Sequence, residues 1–296
     1  MTVKNHSKVC LIISCAIIVV ALLMTIFGYG VNLGIDFSGG LSMEYDLKAT
    51  AVKGDVEGML DGLEVGSYTV TYQGSNENEI VIRIKDVAEE DIQELQARFE
   101  EVLTEKYPEA ASIGDVNYVG PVAGATLVRN AVVSVVLASV LMLIYIAIRF
   151  DLNSGLAAVF GLVHDVLIML SFMVIFRSLI QMNSSFIAAA LTIVGYSINN
   201  TIVIFDRIRE NVKRMPASRK EEVTNLSIQE SLGRTICTTA TTLLTIVSLC
   251  VFGVASIREF ALPIIIGILS GVYSANMING YVWAFLEERR AGRKAK

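Results

Sequence analysis

The chain has 296 residues, of which 53% are hydrophobic and 18% charged, with a net charge of −5 and a mean hydropathy of +0.58. This balance is far too apolar for an ordinary soluble domain and sets a membrane protein as the expectation. The four cysteines, Cys10, Cys15, Cys237 and Cys250, lie in or beside apolar runs, so neither a disulfide framework nor a CxxC metal site is indicated.

Taken in chain order, the first apolar run, 9–27, follows Lys4 and Lys8 as a signal peptide would. Its length exceeds an ordinary h-region and no clear small-x-small cleavage site follows, so it reads as an uncleaved membrane helix. Residues 32–124 then form a long polar segment with 19 acidic and 6 basic residues, a net of −13. Apolar and polar residues alternate there in 41–47, 67–73, 80–85 and 113–119, which predicts four strands. Helical spacing fills 52–63 and 88–107, the second with Ile92, Leu95, Phe99, Val102 and Leu103 on one face before Pro108. The expected order is β-α-β-β-α-β, a ferredoxin-like α+β domain with the loop 73–79 as its hairpin.

Five further runs, 125–148, 154–176, 185–205, 233–254 and 261–286, are each long enough to cross about 30 Å of hydrocarbon. The expected fold is therefore a polytopic α-helical membrane protein with six transmembrane helices and one extracytoplasmic domain. Its domains are 1–31 for the first helix, 32–124 for the outer domain and 125–296 for a five-helix domain, which includes a charged connector at 206–230. Basic residues gather at Lys4 and Lys8, from Arg207 to Lys220 and from Arg289 to the end, so the positive-inside bias puts both termini in the cytoplasm and the acidic segment outside.

A charge near the bilayer centre costs at least about 2.5 kcal/mol, so each one needs a partner, a wet cavity or a function. Asp165 lies midway along its span beside His164, and two readings compete: an interhelical hydrogen bond, or a protonatable carboxylate next to a titratable imidazole. In the fifth span Arg234, Thr238, Thr241, Thr245 and Ser248 fall at offsets of 0, 4, 7, 11 and 14 residues, one polar stripe on a single helix face. A lone arginine at a span's edge would read as snorkelling; the stripe favours a functional Arg234 lining a wet path. Thr192, Tyr196, Asn199 and Asn200 share a face of the fourth span, where interhelical hydrogen bonding is the favoured reading, and Asp206 closes its end. Gly267, Gly271 and Ala275 read as a close-packing face.

Several motifs together resemble the SecD/SecF family, integral-membrane accessory subunits of the bacterial Sec protein translocase that belong with the resistance-nodulation-division transporters. They are Gly34-Ile35-Asp36-Phe37-Ser38-Gly39-Gly40, similar to the family's GIDFxGG signature; Val163-His164-Asp165-Val166, similar to its HDV motif; and Gly195-Tyr196-Ser197-Ile198-Asn199-Asn200-Thr201 leading to Asp206-Arg207-Ile208-Arg209-Glu210-Asn211. Ser231-Leu232-Gly233-Arg234-Thr235 and the run from Gly267 to Ser274 complete the set. The resemblance implies a subunit that works with SecD, beside the SecYEG channel and with YajC and YidC as further partners. Together they use the proton-motive force or a sodium gradient to draw preproteins across the cytoplasmic membrane, without a cofactor, a metal or a nucleic-acid partner. It also implies that Arg234 belongs to the ion path. Where the family has Asp in GYSxND this chain has Asn200, which hydrogen-bonds but carries no proton. The relay would then fall to Asp165, to Asp206 or to the partner subunit. A half-transporter of the same superfamily for small molecules or lipids shares these features. An intramembrane metalloprotease does not, because His6 and His164 are the only histidines and neither sits at a ligand spacing.

Overall fold

Long uninterrupted runs of Leu, Ile, Val and Ala dictate helices that satisfy their own backbone hydrogen bonds in hydrocarbon, and the computed structural model contains them. It describes residues 3–74, 76–85, 87–113, 116–177, 180–215, 219–253 and 255–294. These fall into two compact units, Met1–Asn32 with Val132–Lys296, and Leu33–Ala131.

Helix α1, Val3–Ile26, opens the first unit. In the second unit a one-turn helix α2, Ile35–Ser38, leads into strand β1, Gly40–Asp46; helix α3, Lys53–Gly62, and strands β2, Tyr68–Gln73, and β3, Glu79–Ile84, follow. A 3-10 turn, Glu89–Asp91, enters helix α4, Ile92–Lys106, and two short strands, β4 at Ala111–Ser112 and β5 at Asn117–Val119, complete it. All pairings are antiparallel in the order β2-β3-β1-β4, with β5 also on β1. Of the single strand expected at 113–119 only 117–119 pairs, as β5, while β4 lies just before it; 114–115 lie outside the described residues, as do residue 75 of the loop at 73–79 and 216–218 of the connector. Alternation places Leu41, Met43 and Tyr45 on one face of β1 with Ile80, Ile82 and Ile84 of β3, where they pack with Val56 and Leu60 of α3 and Phe99 and Leu103 of α4.

The signature glycines act here as backbone devices. Gly39 and Gly40 have φ of +78° and +132°, which L side chains rarely adopt, and a Cβ on Gly40 would run into the Ile84 carbonyl. Phe37 is buried beside them, and Ser38 Oγ donates to the Gly34 carbonyl at 3.0 Å. A Cβ on Gly124 would sit 2.9 Å from the Phe37 carbonyl oxygen. Gly34, Asp36, Phe37, Gly39 and Gly40 therefore build the turn that launches β1.

Helix α5, Pro121–Arg149, is followed by α6, Leu152–Ile175, whose first turn is capped by Asp151 accepting from the backbone N–H groups of Asn153 and Ser154. Helices α7, Ser185–Arg214, and α8, Lys220–Phe252, come next. Helix α9, Ala255–Ser274, passes through a π-helical segment, Ala275–Asn279, into α10, Gly280–Lys294. Six helices among the described residues are long and apolar enough to cross a membrane. At about 1.5 Å per residue, the 30 residues of α7 and 33 of α8 outrun a hydrocarbon core. They take up most of the segment read as a connector, held side by side where Arg207 pairs with Glu210 at 2.5 Å and Glu230 at 2.7 Å, and where Asn211 donates to Ser227 and Glu230. Gly267 and Gly271 of α9 face Ile193 and Ser197 of α7, each with no room for a Cβ unless the neighbour moves.

Candidate functional site

Helix α6 turns one apolar stripe inward, with Ala157, Ala158, Leu162, Ile168 and Met169 buried, and Asp165 rides on that stripe with no exposed surface. A carboxylate so placed needs its oxygens filled, and four neighbours fill them. Ser197 of α7 donates to Oδ2 at 2.5 Å, Ser274 of α9 to Oδ2 at 2.8 Å and Ser270 of α9 to Oδ1 at 2.8 Å; His164 Nδ1 lies 2.9 Å from Oδ1. Ser270 and Ser274 reach the same group because residues four apart share a helix face. The room for this comes from Gly271, where a Cβ would stand 3.2 Å from Ser197 Cα and 3.6 Å from Asp165 Oδ2.

From the imidazole the network continues to the first helix. His164 Nε2 lies 2.8 Å from Ser14 Oγ of α1, Ser14 donates to Tyr273 at 3.4 Å, and Tyr273 donates to the Cys10 carbonyl. The Tyr273 and His164 rings stack with centroids 6.1 Å apart. Four helices thus meet on one carboxylate–imidazole pair through hydroxyl groups. A proton arriving at or leaving the pair changes which hydrogen bonds those helices can make.

The other predicted residues are elsewhere. Arg234, Thr238 and Thr241 lie on the exposed face of α8, and Thr238 and Thr241 hydroxyls bond back to carbonyls of their own helix at 2.8 to 3.1 Å. Ser231, Thr235 and Thr239 occupy the inward face instead. The structure does not bring Arg234 to Asp165. Asn200 is buried, 1% exposed, and its Nδ2 has no hydrogen-bond partner among the described residues. Asp206 is half-exposed and pairs with Arg149 at 3.2 Å. Asp165 and His164 come together as expected from adjacency. Ser14, Ser197, Ser270, Tyr273 and Ser274 were missed as site residues; Ser197 and the three α9 residues stood inside quoted motifs, whereas a lone serine in the apolar run of α1 gave no signal.

Comparison with known proteins finds relatives over most of the chain. The family described as "Protein export membrane protein SecD/SecF, C-terminal" matches residues 98–289, and the "SecD/SecF GG Motif" matches 25–51. The "Protein translocase subunit SecF" of Calditerrivibrio nitroreducens is 36% identical over 291 residues, 97% of this chain and 94% of that one. That of Rickettsia felis is 35% identical over 266 residues, 90% of this chain and 85% of that one. Among solved structures, SecDF from Thermus thermophilus, a translocon-associated membrane protein, superposes with a TM-score of 0.81 at 31% identity, covering 96% of this chain and 38% of that chain. SecDF in a super-membrane-facing form gives 0.70 at 31% identity, covering 99% and 39%. This chain therefore spans about two fifths of the SecDF chains it matches. By the length of these matches and the motifs inside them, the chain belongs to the SecD/SecF family of protein export membrane proteins.

Proposed function

We propose that this chain is an accessory subunit of the Sec protein-export machinery, a multi-pass protein of the bacterial inner membrane with both termini in the cytoplasm. With a SecD-type subunit it uses the proton-motive force to promote preprotein translocation, without enzymatic chemistry of its own. The observation that carries this is Asp165, wholly buried among Ser197, Ser270, Ser274 and His164, so that one proton rearranges contacts among α1, α6, α7 and α9. Each charge moved through 100 mV supplies about 2.3 kcal/mol, comparable with two or more net hydrogen bonds. The imidazole beside the carboxylate favours a proton over sodium as the coupling ion.

Arg234, Thr238 and Thr241 form a separate, outward-facing part of the coupling path on α8. A charged side chain on a lipid-facing helix surface is costly, and the exposed polar face of α8 is relieved if the SecD-type subunit covers it and supplies a carboxylate that Asn200 cannot. Asp206 belongs to the ion pair with Arg149. Residues 32–124 form the outer, ferredoxin-like domain, a reading supported by the antiparallel order β2-β3-β1-β4, and this domain meets the emerging preprotein. SecYEG, YajC and YidC are the expected neighbours. Copurification tests the assignment: the tagged chain should retain a SecD-type subunit and the SecYEG channel, and retention of an unrelated pump subunit in their place would support a small-molecule or lipid half-transporter and overturn it.

A further inference from the structure

The hydroxyl chain between α6 and α1 has two senses, set by where Ser14 sends its proton, and each sense counts the protons at the site. The Cys10 carbonyl only accepts, so Tyr273 spends its single phenolic proton there. Tyr273 Oη then faces Ser14 as an acceptor, and Ser14 gives its own proton at 3.4 Å. While Ser14 bonds Tyr273, its Oγ, 2.8 Å from His164 Nε2, offers only lone pairs to the ring, and in that sense of the chain Nε2 is the donor. On the far side of the ring, Nδ1 and Asp165 Oδ1 approach to 2.9 Å and must share one proton, as N–H against carboxylate or as bare nitrogen against carboxylic acid. Either way, this sense of the chain corresponds to the proton-loaded form of the pair.

We propose that Ser14, itself held by Tyr273 and the Cys10 carbonyl, is the positioning residue that sets the proton occupancy of His164 and Asp165. When the pair releases a proton, the neutral ring keeps one N–H, which moves to Nδ1 against the carboxylate, and Nε2 becomes an acceptor. The Ser14 hydroxyl turns from Tyr273 to Nε2, keeping its own proton. Loading at α6 is thereby read out as a bond made or broken between α1 and α9. The other groups at the pair are the hydroxyls of Ser197, Ser270 and Ser274, and among the described residues the one ion-pair partner of His164 is Asp165. Ser14 is 2% exposed on a helix whose neighbours Ile12 and Ile13 are exposed, so its orientation answers to these partners and not to solvent.

That this switch serves export rests on the reading of Asp165 as the coupling site; the switch itself is measured without export. The chain has two histidines, so a His6→Gln background leaves His164 alone for nitrogen-15 NMR of the full-length protein in lipid nanodiscs. The expected result is a ring protonated at Nε2 on the loaded side, alone or together with Nδ1, that converts to the Nδ1–H tautomer as the pH rises. At a pH where the parent shows Nε2–H, Tyr273→Phe and Ser14→Ala should each move the tautomer ratio toward Nδ1–H by about tenfold, the worth of one net hydrogen bond, and Ser14→Thr should restore the parent signal. An Nδ1–H ring at every pH in the parent, which needs no variant to detect, overturns the proposal, as do Tyr273→Phe and Ser14→Ala spectra equal to the parent's. If the tautomers behave as expected while Asp165→Asn exports normally, the switch stands and the coupling reading falls.

Discussion

Three serine hydroxyls and one imidazole depend on the oxygens of Asp165. Asp165→Leu removes the acceptor that Ser197, Ser270 and His164 Nδ1 share, while Ser274 keeps the Gly271 carbonyl and His164 Nε2 keeps Ser14, so it should destabilise the protein by about 3 kcal/mol, the low end for breaking a buried pair. Asp165→Asn keeps an acceptor oxygen and should lose clearly less; equal thermal midpoints for Asp165→Leu and the parent in detergent would contradict this account of the site. The charged member was legible in the sequence because a carboxylate in an apolar run is expensive enough to demand a reason. Its serines were not, because a hydroxyl is cheap in a membrane helix and can bond to its own backbone, as Thr245 and Ser248 do. Gly271 was read as packing and does pack, but the space it leaves also admits the carboxylate.

At the level of elements, the apolar runs located the first three spans within three residues at each end, and alternation located the first three strands within one, because burial of one face of a sheet enforces a period of two. Periodicity did not find the break between β4 and β5, where only two and three residues pair, nor the reach of α7 and α8, which ion pairs such as Arg207 with Glu230 hold beyond the apolar run. It found the polar stripe of α8 but not its direction, since a period says which residues share a face and nothing about what that face meets. Gly40→Ala forces a side chain at φ +132° against the Ile84 carbonyl and should destabilise the outer unit by about 1–3 kcal/mol, seen as faster hydrogen exchange in β1 and β3. Gly267→Leu should likewise loosen α9 from Ile193 of α7 by about 1–3 kcal/mol through overpacking. The end of β1 is sensitive to acid: hydrogen bonds from the Lys48 side chain, then the Lys48 N–H and Asn78, hold Asp46 at about 2, below its ordinary 3.8. A depressed carboxyl contributes fully above its unfolded value, so this contribution is lost as the pH falls from 3.8 toward 2. Exchange at Asp46 and Ala111 should quicken across that window in the parent and much less in Asp46→Asn.

For the molecule in its membrane, the proposed function divides the work between the polar face of α8, as a partner-facing surface, and the buried pair at Asp165, as an internal proton site. Arg234→Ala should leave the His164 spectrum unchanged, because Arg234 is not among the partners of the pair, yet weaken retention of the SecD-type subunit by roughly thirtyfold or more, the low end for removing one side of a buried charge contact. Full retention would remove Arg234 from the interface. The acidic segment and the basic ends were legible from charge alone, and the resemblance together with Asn200 already implied a partner chain; the structure adds only that Arg234 points outward. The central claim, that protons act through Asp165, is tested most directly by preprotein translocation into inverted membrane vesicles with and without a collapsed proton gradient. The parent complex should lose its gradient-driven stimulation on collapse, and Asp165→Asn should show none to lose while its ATP-driven stage persists; an Asp165→Asn complex stimulated by the gradient as fully as the parent would contradict the account.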